Sequence, residues 1–169
     1  MFVLSITGSV QVLYWGEMEY ADRTLLARAI RVRKNASTPV SGYMVGAALR
    51  PVGSDRVFYG CNVEEDGQTS TVHAEAAALS AMISALGPQA RCSTIAIALG
   101  PRDESVTSPP KHTGRLITSL SEITRTPCGH CRGLFSQYGG GDIRFLCLQQ
   151  NGQVVIGTMA DFFPCGFKL

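Results

Sequence analysis

The sequence predicts an α/β fold, a three-layer α/β/α sandwich around a mixed sheet of about five strands. Short strand-like runs alternate with helical patterns, and residues 93–99 form a continuous strand-like run, suited to a strand covered on both faces. Asn151-Gly152 lies between two further strand-like runs and is a strong signal for a tight hairpin. Tight hairpins join antiparallel strands, whereas parallel neighbours need a long crossover, so we expect a mixed sheet with helices on its faces.

The length and composition of the chain favour one globular domain with a full core. It has 169 residues, of which 45% are hydrophobic. We assign this domain to residues 17–169 and treat residues 1–16 as an N-terminal extension of unknown role. No apolar run approaches the roughly 20 residues that span a bilayer, which predicts a soluble protein with no membrane partner.

The first part of the chain contains one predicted helix and two predicted strands. Apolar residues recur at helical spacing over 17–34, and the pattern stops at Pro39 and Ser41-Gly42. Residues 43–49 and 56–63 are strand-like and are joined by a loop whose composition favours a hairpin turn. The apolar positions of the helix are Tyr20, Leu25, Leu26, Ala29 and Ile30.

The clearest helical pattern covers residues 71–86 and ends at Gly87-Pro88. Spacing predicts one buried stripe on this helix. The stripe consists of Val72, Ala76, Leu79, Ile83 and Leu86. The buried strand 93–99 follows it.

A polar insertion at about 101–125 comes next, with a short helix predicted near 116–123. We expect disorder or a contact between subunits there rather than a lid over a site. A third helix over 128–138 and the two hairpin strands, 143–148 and 154–156, complete the predicted domain.

Charge and cysteine content restrict the partners and the compartment. The net charge of +2 is spread along the chain, and its one cluster, Arg31-Val32-Arg33-Lys34, suits a solvated helix end better than a nucleic-acid surface. We therefore expect no nucleic-acid partner. The six cysteines comprise one C-x-x-C pair and residues in or beside apolar runs, a pattern typical of free thiols in a reducing cytoplasm.

Two short motifs carry the candidate chemistry, His73-Ala74-Glu75 and Pro127-Cys128-Gly129-His130-Cys131, each at the start of a predicted helix. Cys128 and Cys131 are three residues apart, so both thiols can face the same way in the first turn. With His73 they supply three zinc ligands and no evident fourth, while His130 is expected to point away. A zinc site with three protein ligands leaves a position for water and is normally catalytic.

Glu75 lies two residues after a predicted ligand, in an apolar helix where an unpartnered charge is costly. Zinc lowers the pKa of bound water from 15.7 towards about 7, and a nearby carboxylate then carries protons between that water and a substrate. A lone C-x-x-C also suits a redox pair or a structural zinc knuckle, and a lone helical histidine also suits packing. The two motifs together favour an enzyme.

H-x-E followed by P-C-x-x-C is the pattern of zinc-dependent nucleobase deaminases, and the chain resembles the cytidine deaminase family from about residue 25 to residue 167. The resemblance also rests on residues 41–49, on Gly60-Cys61-Asn62-Val63-Glu64 and on the closing segment 162–167. It implies the cytidine deaminase-like fold, with one zinc ion per subunit and Glu75 as the proton carrier. The implied reaction is hydrolytic deamination of free cytidine and 2'-deoxycytidine in pyrimidine salvage.

The resemblance also implies which residues bind the substrate. Asn62 and Glu64 would hydrogen-bond the sugar hydroxyls, and Tyr43 would pack on the nucleoside. The backbone amide of Ala74 would contact O2 of the base, and the Thr126 carbonyl would accept from its amino group. These contacts would discriminate cytosine from uracil.

The resemblance implies a homo-oligomer, because the closing aromatic residue, here Phe167, reaches a neighbouring subunit's site in tetrameric members. The short chain and the spacing from Glu64 to His73 resemble the tetrameric branch, whereas a histidine with two cysteines resembles the larger dimeric enzymes. We expect a homotetramer, with a homodimer as the alternative. The long insertion, and Gly133 where glutamine is usual, depart from both branches.

Three alternatives remain open at the level of the sequence. One is a deaminase acting on a modified cytosine nucleoside, such as an aminonucleoside antibiotic. Another is a nucleic-acid-editing deaminase, which the modest charge and the Asn151-Gly152 hairpin disfavour. The last is a non-catalytic binding module stabilised by zinc, against which Glu75 argues.

Overall fold

The computed structural model describes residues 2–5, 9–66, 70–139 and 142–162. Seven strands form one sheet in the order β1-β2-β7-β6-β5-β3-β4. The strands are β1 (Phe2–Ser5), β2 (Ser9–Leu13), β3 (Tyr43–Pro51), β4 (Phe58–Cys61), β5 (Cys92–Pro101), β6 (Arg144–Leu148) and β7 (Val154–Thr158). The helices are α1 (Tyr20–Arg33), α2 (Ala74–Leu86), α3 (Gly129–Tyr138) and α4 (Met159–Phe162).

The sheet is mixed, as predicted. Strands β5 and β6 run parallel, and the other paired strands that the structure describes are antiparallel. The predicted hairpin joins β6 to β7, and Gly152 in its turn has a φ of +82°. A Cβ on Gly152 would lie 2.2 Å from the Lys111 carbonyl oxygen, so this turn needs glycine both for its conformation and for its space.

Alternating side chains divide the core into two layers, which confirms the predicted three-layer sandwich. Ile95 and Ile97 of β5 face the layer that contains α2 and α3, whereas Ala96 and Ala98 face α1. The alanines let α1 approach the sheet closely. At Gly46 of β3 a Cβ would lie 2.2 Å from a carbonyl oxygen of α1.

The predicted buried stripe of α2 is only partly correct: Leu79 is buried and Ile83 packs against the core, but the buried face is rotated about the helix axis relative to the rest of the stripe. Val72, which precedes the helix, is 45% exposed and Leu86 is 39% exposed. The face that is buried consists of Ala74, Glu75, Ala78, Leu79 and Met82. The alanine-rich sequence is apolar around much of its circumference, so the contact with β4 decides the rotation: a Cβ on Gly60 would lie 2.6 Å from the Ala77 methyl.

The N-terminal segment contributes to the sheet. Strand β2 pairs antiparallel with β7, and Val10, Val12 and Leu13 are buried. β2 therefore covers the edge of β7 that the hairpin would otherwise expose. In the part of the chain that the structure covers, no helix has the length and apolar composition needed to cross a bilayer.

The polar insertion is attached to the domain at several points. The Thr113 amide donates to the Asn151 carbonyl at 2.9 Å, the Ile117 amide donates to Gln153 Oε1, and Ile117 is 5% exposed. In place of the predicted short helix there is a single 3-10 turn, Leu120–Glu122. The expectation of disorder is therefore wrong, because the segment buries an apolar anchor and bonds to the β6–β7 hairpin. A contact between subunits stays a prediction.

Candidate metal and catalytic site

The three predicted metal ligands meet where two helices begin. His73 occupies the N-cap position of α2, and Cys128 occupies the N-cap position of α3, with Cys131 one turn further along. His73 is half-buried, Cys128 is exposed and Cys131 is buried. Both helix N-termini carry partial positive charge, which stabilises thiolates gathered between them.

The distances within this group fit a tetrahedral zinc ion. His73 Nδ1 lies 3.4 Å from Cys128 Sγ and 3.5 Å from Cys131 Sγ, and the three ligand atoms lie within 4.8 Å of one another. Zinc bonds of 2.0–2.1 Å to nitrogen and about 2.3 Å to sulfur place the two ligand atoms about 3.6 Å apart. Among the described residues the group contains three ligands, so one coordination position remains for water or substrate.

Glu75 is buried beside the ligand group, with 5% of its surface exposed. Burial raises its pKa above the ordinary value, and a hydrogen bond with its own backbone and the charge of His73 offset this only in part. Burial and the neighbouring Glu75 likewise raise the pKa of the Cys131 thiol, with which the carboxyl interacts directly. A divalent cation between these groups would reverse both effects, so the donor set is chemically suited to a metal.

The other two histidines are outside the ligand group. The His130 ring centroid lies 5.3 Å from that of His73, but His130 is exposed and does not belong to the three-ligand cluster. His112 in the insertion is also exposed and packs edge-on against Tyr14 at 5.2 Å. The prediction that His130 is not a ligand agrees with this geometry.

Asn62 lies just beyond β4 and bonds to the beginning of β3. Its Oδ1 accepts from the Val45 amide at 2.8 Å, and its Nδ2 donates to the Tyr43 carbonyl at 2.9 Å. Asn62 is 6% exposed, whereas Tyr43 is 38% exposed. Half of the hydrogen-bonding capacity of the Asn62 amide is therefore already used by the protein. Its contact with a sugar stays a prediction.

Glu64 is held by a residue that the sequence did not single out as part of a site. Its carboxylate accepts from the Ser41 hydroxyl, from the Ser41 amide at 3.1 Å and from the Val40 amide at 3.3 Å. The Ser41 hydroxyl is the main cause that lowers the Glu64 pKa. In the sequence, Ser41-Gly42 is a helix-stop signal, and no local pattern indicates its contact with a residue 23 positions away.

The remaining predicted substrate residues have different positions relative to the ligands. Ala74 is the first residue of α2 and is fully buried, next to His73 in the chain. Thr126 is half-buried and lies two residues before Cys128. Phe167 lies outside the described residues. The roles of all three stay predictions.

A cavity of about 1210 Å³ lies between the end of α1 and the start of the insertion, and none of the ligands lines it. The basic cluster predicted to be solvated contributes to its wall. Arg31 and Lys34 are exposed as expected, but Arg33 is 4% exposed. Arg33 is buried because its guanidinium donates to backbone carbonyls at the end of β5, at 2.8 Å for Gly100 and 2.6 Å for Pro101.

The fold and the ligand group together define an α/β domain with a candidate metal site, made of three possible ligands and an adjacent buried carboxyl. The model of the family described as "Cytidine and deoxycytidylate deaminase zinc-binding region" matches residues 19–147. The match covers more than half of the chain and includes both motifs. The chain therefore belongs to this family.

Solved structures of bacterial cytidine deaminases share the fold. Cytidine deaminase from Mycobacterium tuberculosis has 25% sequence identity and a TM-score of 0.64, covering 89% of this chain and 100% of that chain. The enzyme from Burkholderia pseudomallei has 26% identity and a TM-score of 0.64, covering 89% and 100%. The enzyme from Mycobacterium leprae has 26% identity and a TM-score of 0.61, covering 87% and 99%. Family membership and the ligand group support a zinc-dependent deaminase of cytidine-type substrates.

Proposed function

We propose that this protein catalyses the hydrolytic deamination of free cytidine and 2'-deoxycytidine to uridine and 2'-deoxyuridine, as a cytoplasmic enzyme of pyrimidine salvage. One observation carries the proposal. The buried Glu75 carboxyl lies beside a ligand group of His73, Cys128 and Cys131 that leaves one coordination position open among the described residues. One zinc ion per subunit would be held there.

When bound, zinc supplies a water molecule whose pKa is lowered towards about 7. Glu75 would take one proton from the attacking water and deliver it to N3 as the water oxygen bonds to C4 of the base. It would then move the second proton of that oxygen to the exocyclic amino group, so that the C4–N bond breaks, ammonia leaves and a C4 carbonyl remains. A carboxyl buried beside the ligand group suits this work, because a proton carrier must lie within hydrogen-bond reach of the atoms between which it moves a proton.

Backbone groups beside the ligands would read the base. The Ala74 amide, at the N-terminus of α2, would donate to O2, and the Thr126 carbonyl would accept from the amino group of cytosine. Uracil presents a carbonyl oxygen in place of that amino group, so two acceptors would face each other in a product complex. This arrangement favours binding of the substrate over the product.

Glu64 and Asn62 would bind the sugar, and Tyr43 would pack on the nucleoside. Ser41 and the backbone already orient Glu64, which favours ordered contact with a diol at little further entropic cost. The engagement of Asn62 with β3 leaves less of its amide for the sugar. That observation keeps a modified cytosine nucleoside as the second candidate substrate.

We also propose a homotetramer, with a homodimer as the alternative. Support comes from apolar side chains exposed around the start of α2: Val63 is 47% exposed and Val72 is 45% exposed, and the two residues pair across a β-bridge. The ligand Cys128 is itself exposed in the single subunit. Light scattering coupled to size-exclusion chromatography gives the mass, and a monomer at micromolar concentration would contradict this proposal.

A reducing location is supported by the five cysteines in the described residues, which are free. The net charge of +2 and the antiparallel β6–β7 hairpin support a free nucleoside over a polynucleotide as substrate. A net charge of +2 spread along the chain does not form the concentrated basic face that is typical of polynucleotide binding.

Ammonia release from a panel of substrates tests the proposed function. Zinc-loaded protein is incubated with cytidine, 2'-deoxycytidine, cytosine, CMP and a cytosine-containing oligonucleotide. We expect turnover of the two nucleosides alone, lost after chelation and restored by zinc. Turnover of only the oligonucleotide, or of none of the five, would contradict the proposal. Weak turnover of both nucleosides with efficient turnover of a sugar-modified cytosine nucleoside would favour the second candidate.

A further inference from the structure

A buried glutamine clamps the backbone that leads into the cysteine motif. Gln149 follows β6 and is 3% exposed. Its Oε1 accepts from the Arg125 amide at 3.2 Å, and its Nε2 donates to the Arg125 carbonyl at 2.7 Å. The same carboxamide accepts from the Thr124 amide at 3.3 Å and donates to the Cys147 carbonyl at 3.0 Å. The side chain thus bonds to both sides of one residue, as a neighbouring strand would.

The side chain of Arg125 is fixed independently. Arg125 is 6% exposed, and its guanidinium donates two hydrogen bonds to the Glu104 carboxylate, at 2.8 and 2.6 Å. Paired bonds between a guanidinium and a carboxylate restrict orientation as well as distance. Arg125 is therefore held through its backbone by Gln149 and through its side chain by Glu104.

The fixed residue is separated from the first cysteine ligand by only Thr126 and Pro127. Pro127 is buried, and its ring holds φ near −65°, which removes one of the backbone rotations between Arg125 and Cys128. A displacement of the Arg125 backbone would therefore move the Thr126 carbonyl and the Cys128 thiol. The Gln149 bonds form where the chain enters the ligand group.

We propose that Gln149 is a positioning residue for the metal and base-binding segment 124–128. It acts through the Arg125 backbone and touches neither metal nor substrate. Its effect on Cys128 is independent of what the enzyme deaminates, whereas its effect on the Thr126 carbonyl rests on the proposed function. Removal of a residue that orients a metal ligand typically weakens metal binding by about 10–100-fold.

The chain offers a matched control in Gln153. Gln153 is 1% exposed, and its Oε1 accepts from the Ile117 amide and from Asn151 Nδ2, both at 2.8 Å. It is therefore a second buried glutamine of the same hairpin, bonded to the middle of the insertion instead of to its last residues. Substitution of either glutamine by methionine removes a buried carboxamide and replaces it with a side chain of similar size.

The test compares Gln149→Met with Gln153→Met in the full chain. Zinc affinity is measured by competition with a chromogenic chelator, and kcat and KM are measured for cytidine. We expect Gln149→Met to weaken zinc binding by 10–100-fold and to lower kcat by a similar factor in zinc-saturated protein. We expect Gln153→Met to change both quantities by less than threefold, even where its melting temperature falls equally.

Equal effects of the two substitutions, or zinc affinity unchanged in Gln149→Met, would overturn the proposal. If Gln149→Met does not fold, Gln149→Glu is used, because it keeps an acceptor for the Arg125 amide but cannot donate to the Arg125 carbonyl when ionised. It should then show a loss of zinc affinity in the same direction, and an unchanged affinity would count against the proposal. The zinc measurement needs no substrate, so an inactive wild-type protein would contradict the proposed function and leave this comparison decisive.

Discussion

Replacement of Glu75 by glutamine tests the proton-carrier role most directly. Glu75 is 5% exposed, and the nearest predicted site carboxylate in sequence, Glu64, is engaged by Ser41. No substitute carrier is therefore placed at the ligand group by the described geometry. General acid–base catalysis contributes about 10²–10⁴-fold. Because the proposed mechanism assigns two successive proton transfers to Glu75, we expect the upper end, a loss of about 10⁴ in kcat, equivalent to about 5.5 kcal/mol.

The same substitution should leave the fold and the metal in place. Glutamine has nearly the same volume and removes a buried carboxyl whose pKa burial has raised, so the melting temperature of the metal-free protein should be unchanged or higher. The three ligands are untouched, and zinc content should stay at one per subunit. Activity is followed by the loss of cytidine absorbance and metal by atomic emission. A fully zinc-loaded Glu75→Gln protein with kcat within tenfold of wild type would refute the reasoning.

Glu64→Gln provides the contrasting variant. If Glu64 binds the sugar equally in the ground and transition states, this change should raise KM and leave kcat nearly unchanged. A loss confined to kcat would place Glu64 in the chemical step instead.

Three further predictions concern packing, thiol reactivity and pH. Gly46→Ala should destabilise the fold by about 3 kcal/mol, because its Cβ would lie as close as 2.2 Å to backbone atoms of α1. A Cβ on Gly133 in α3 would meet nothing within 4 Å, so Gly133→Ala should stabilise the fold by about 1 kcal/mol. Urea unfolding measures both changes in the free energy of unfolding. In zinc-free protein, mass spectrometry should find the exposed Cys128 alkylated well before Cys92, whose burial raises its pKa to about 12, and zinc should protect Cys128. The pKa of the Glu64 carboxyl should lie below its ordinary value of 4.5. Its hydrogen bonds with Ser41 and Val40 should therefore persist at pH 5 and be lost only as the pH falls through the lowered pKa. Carbon NMR of the Glu64 carboxyl, followed against pH, tests this.

Local patterns were sufficient to select the three side chains that the structure brings together as a possible metal site and the carboxyl that is buried beside them. The spacing of Cys128 and Cys131 fixes their relation within one helical turn, and Glu75 is tied to His73 by two peptide bonds. These relations do not depend on the rest of the fold. The hairpin at Asn151-Gly152 is also local, because its turn geometry follows from the residues in the turn.

Predictions failed where distant backbone decided the outcome. Arg33 looks like a solvated charge in a basic cluster, but carbonyls at the end of β5 accept its hydrogen bonds and bury it. The side of α2 that is buried could not be predicted from the sequence, because its alanines make the helix apolar around much of its circumference. The close contact with Gly60 decides which side faces the sheet. Gln149 lies in a polar turn sequence and gives no local sign that it bonds to residues 24 positions earlier.

The sequence by itself determined the chemistry available to this protein: which side chains can bind a metal, which can carry a proton, and where the longer helices and the central strands lie. Only the tertiary structure decided that His73 meets two cysteines 55 and 58 residues away, and that Arg125 is held on both sides before the first of them. The physical reason is the distance along the chain over which each effect acts. Helix spacing and turn preference act over a few residues, whereas the meeting of the two motifs depends on the order of the strands and on the packing of α2 and α3 against one face of the sheet.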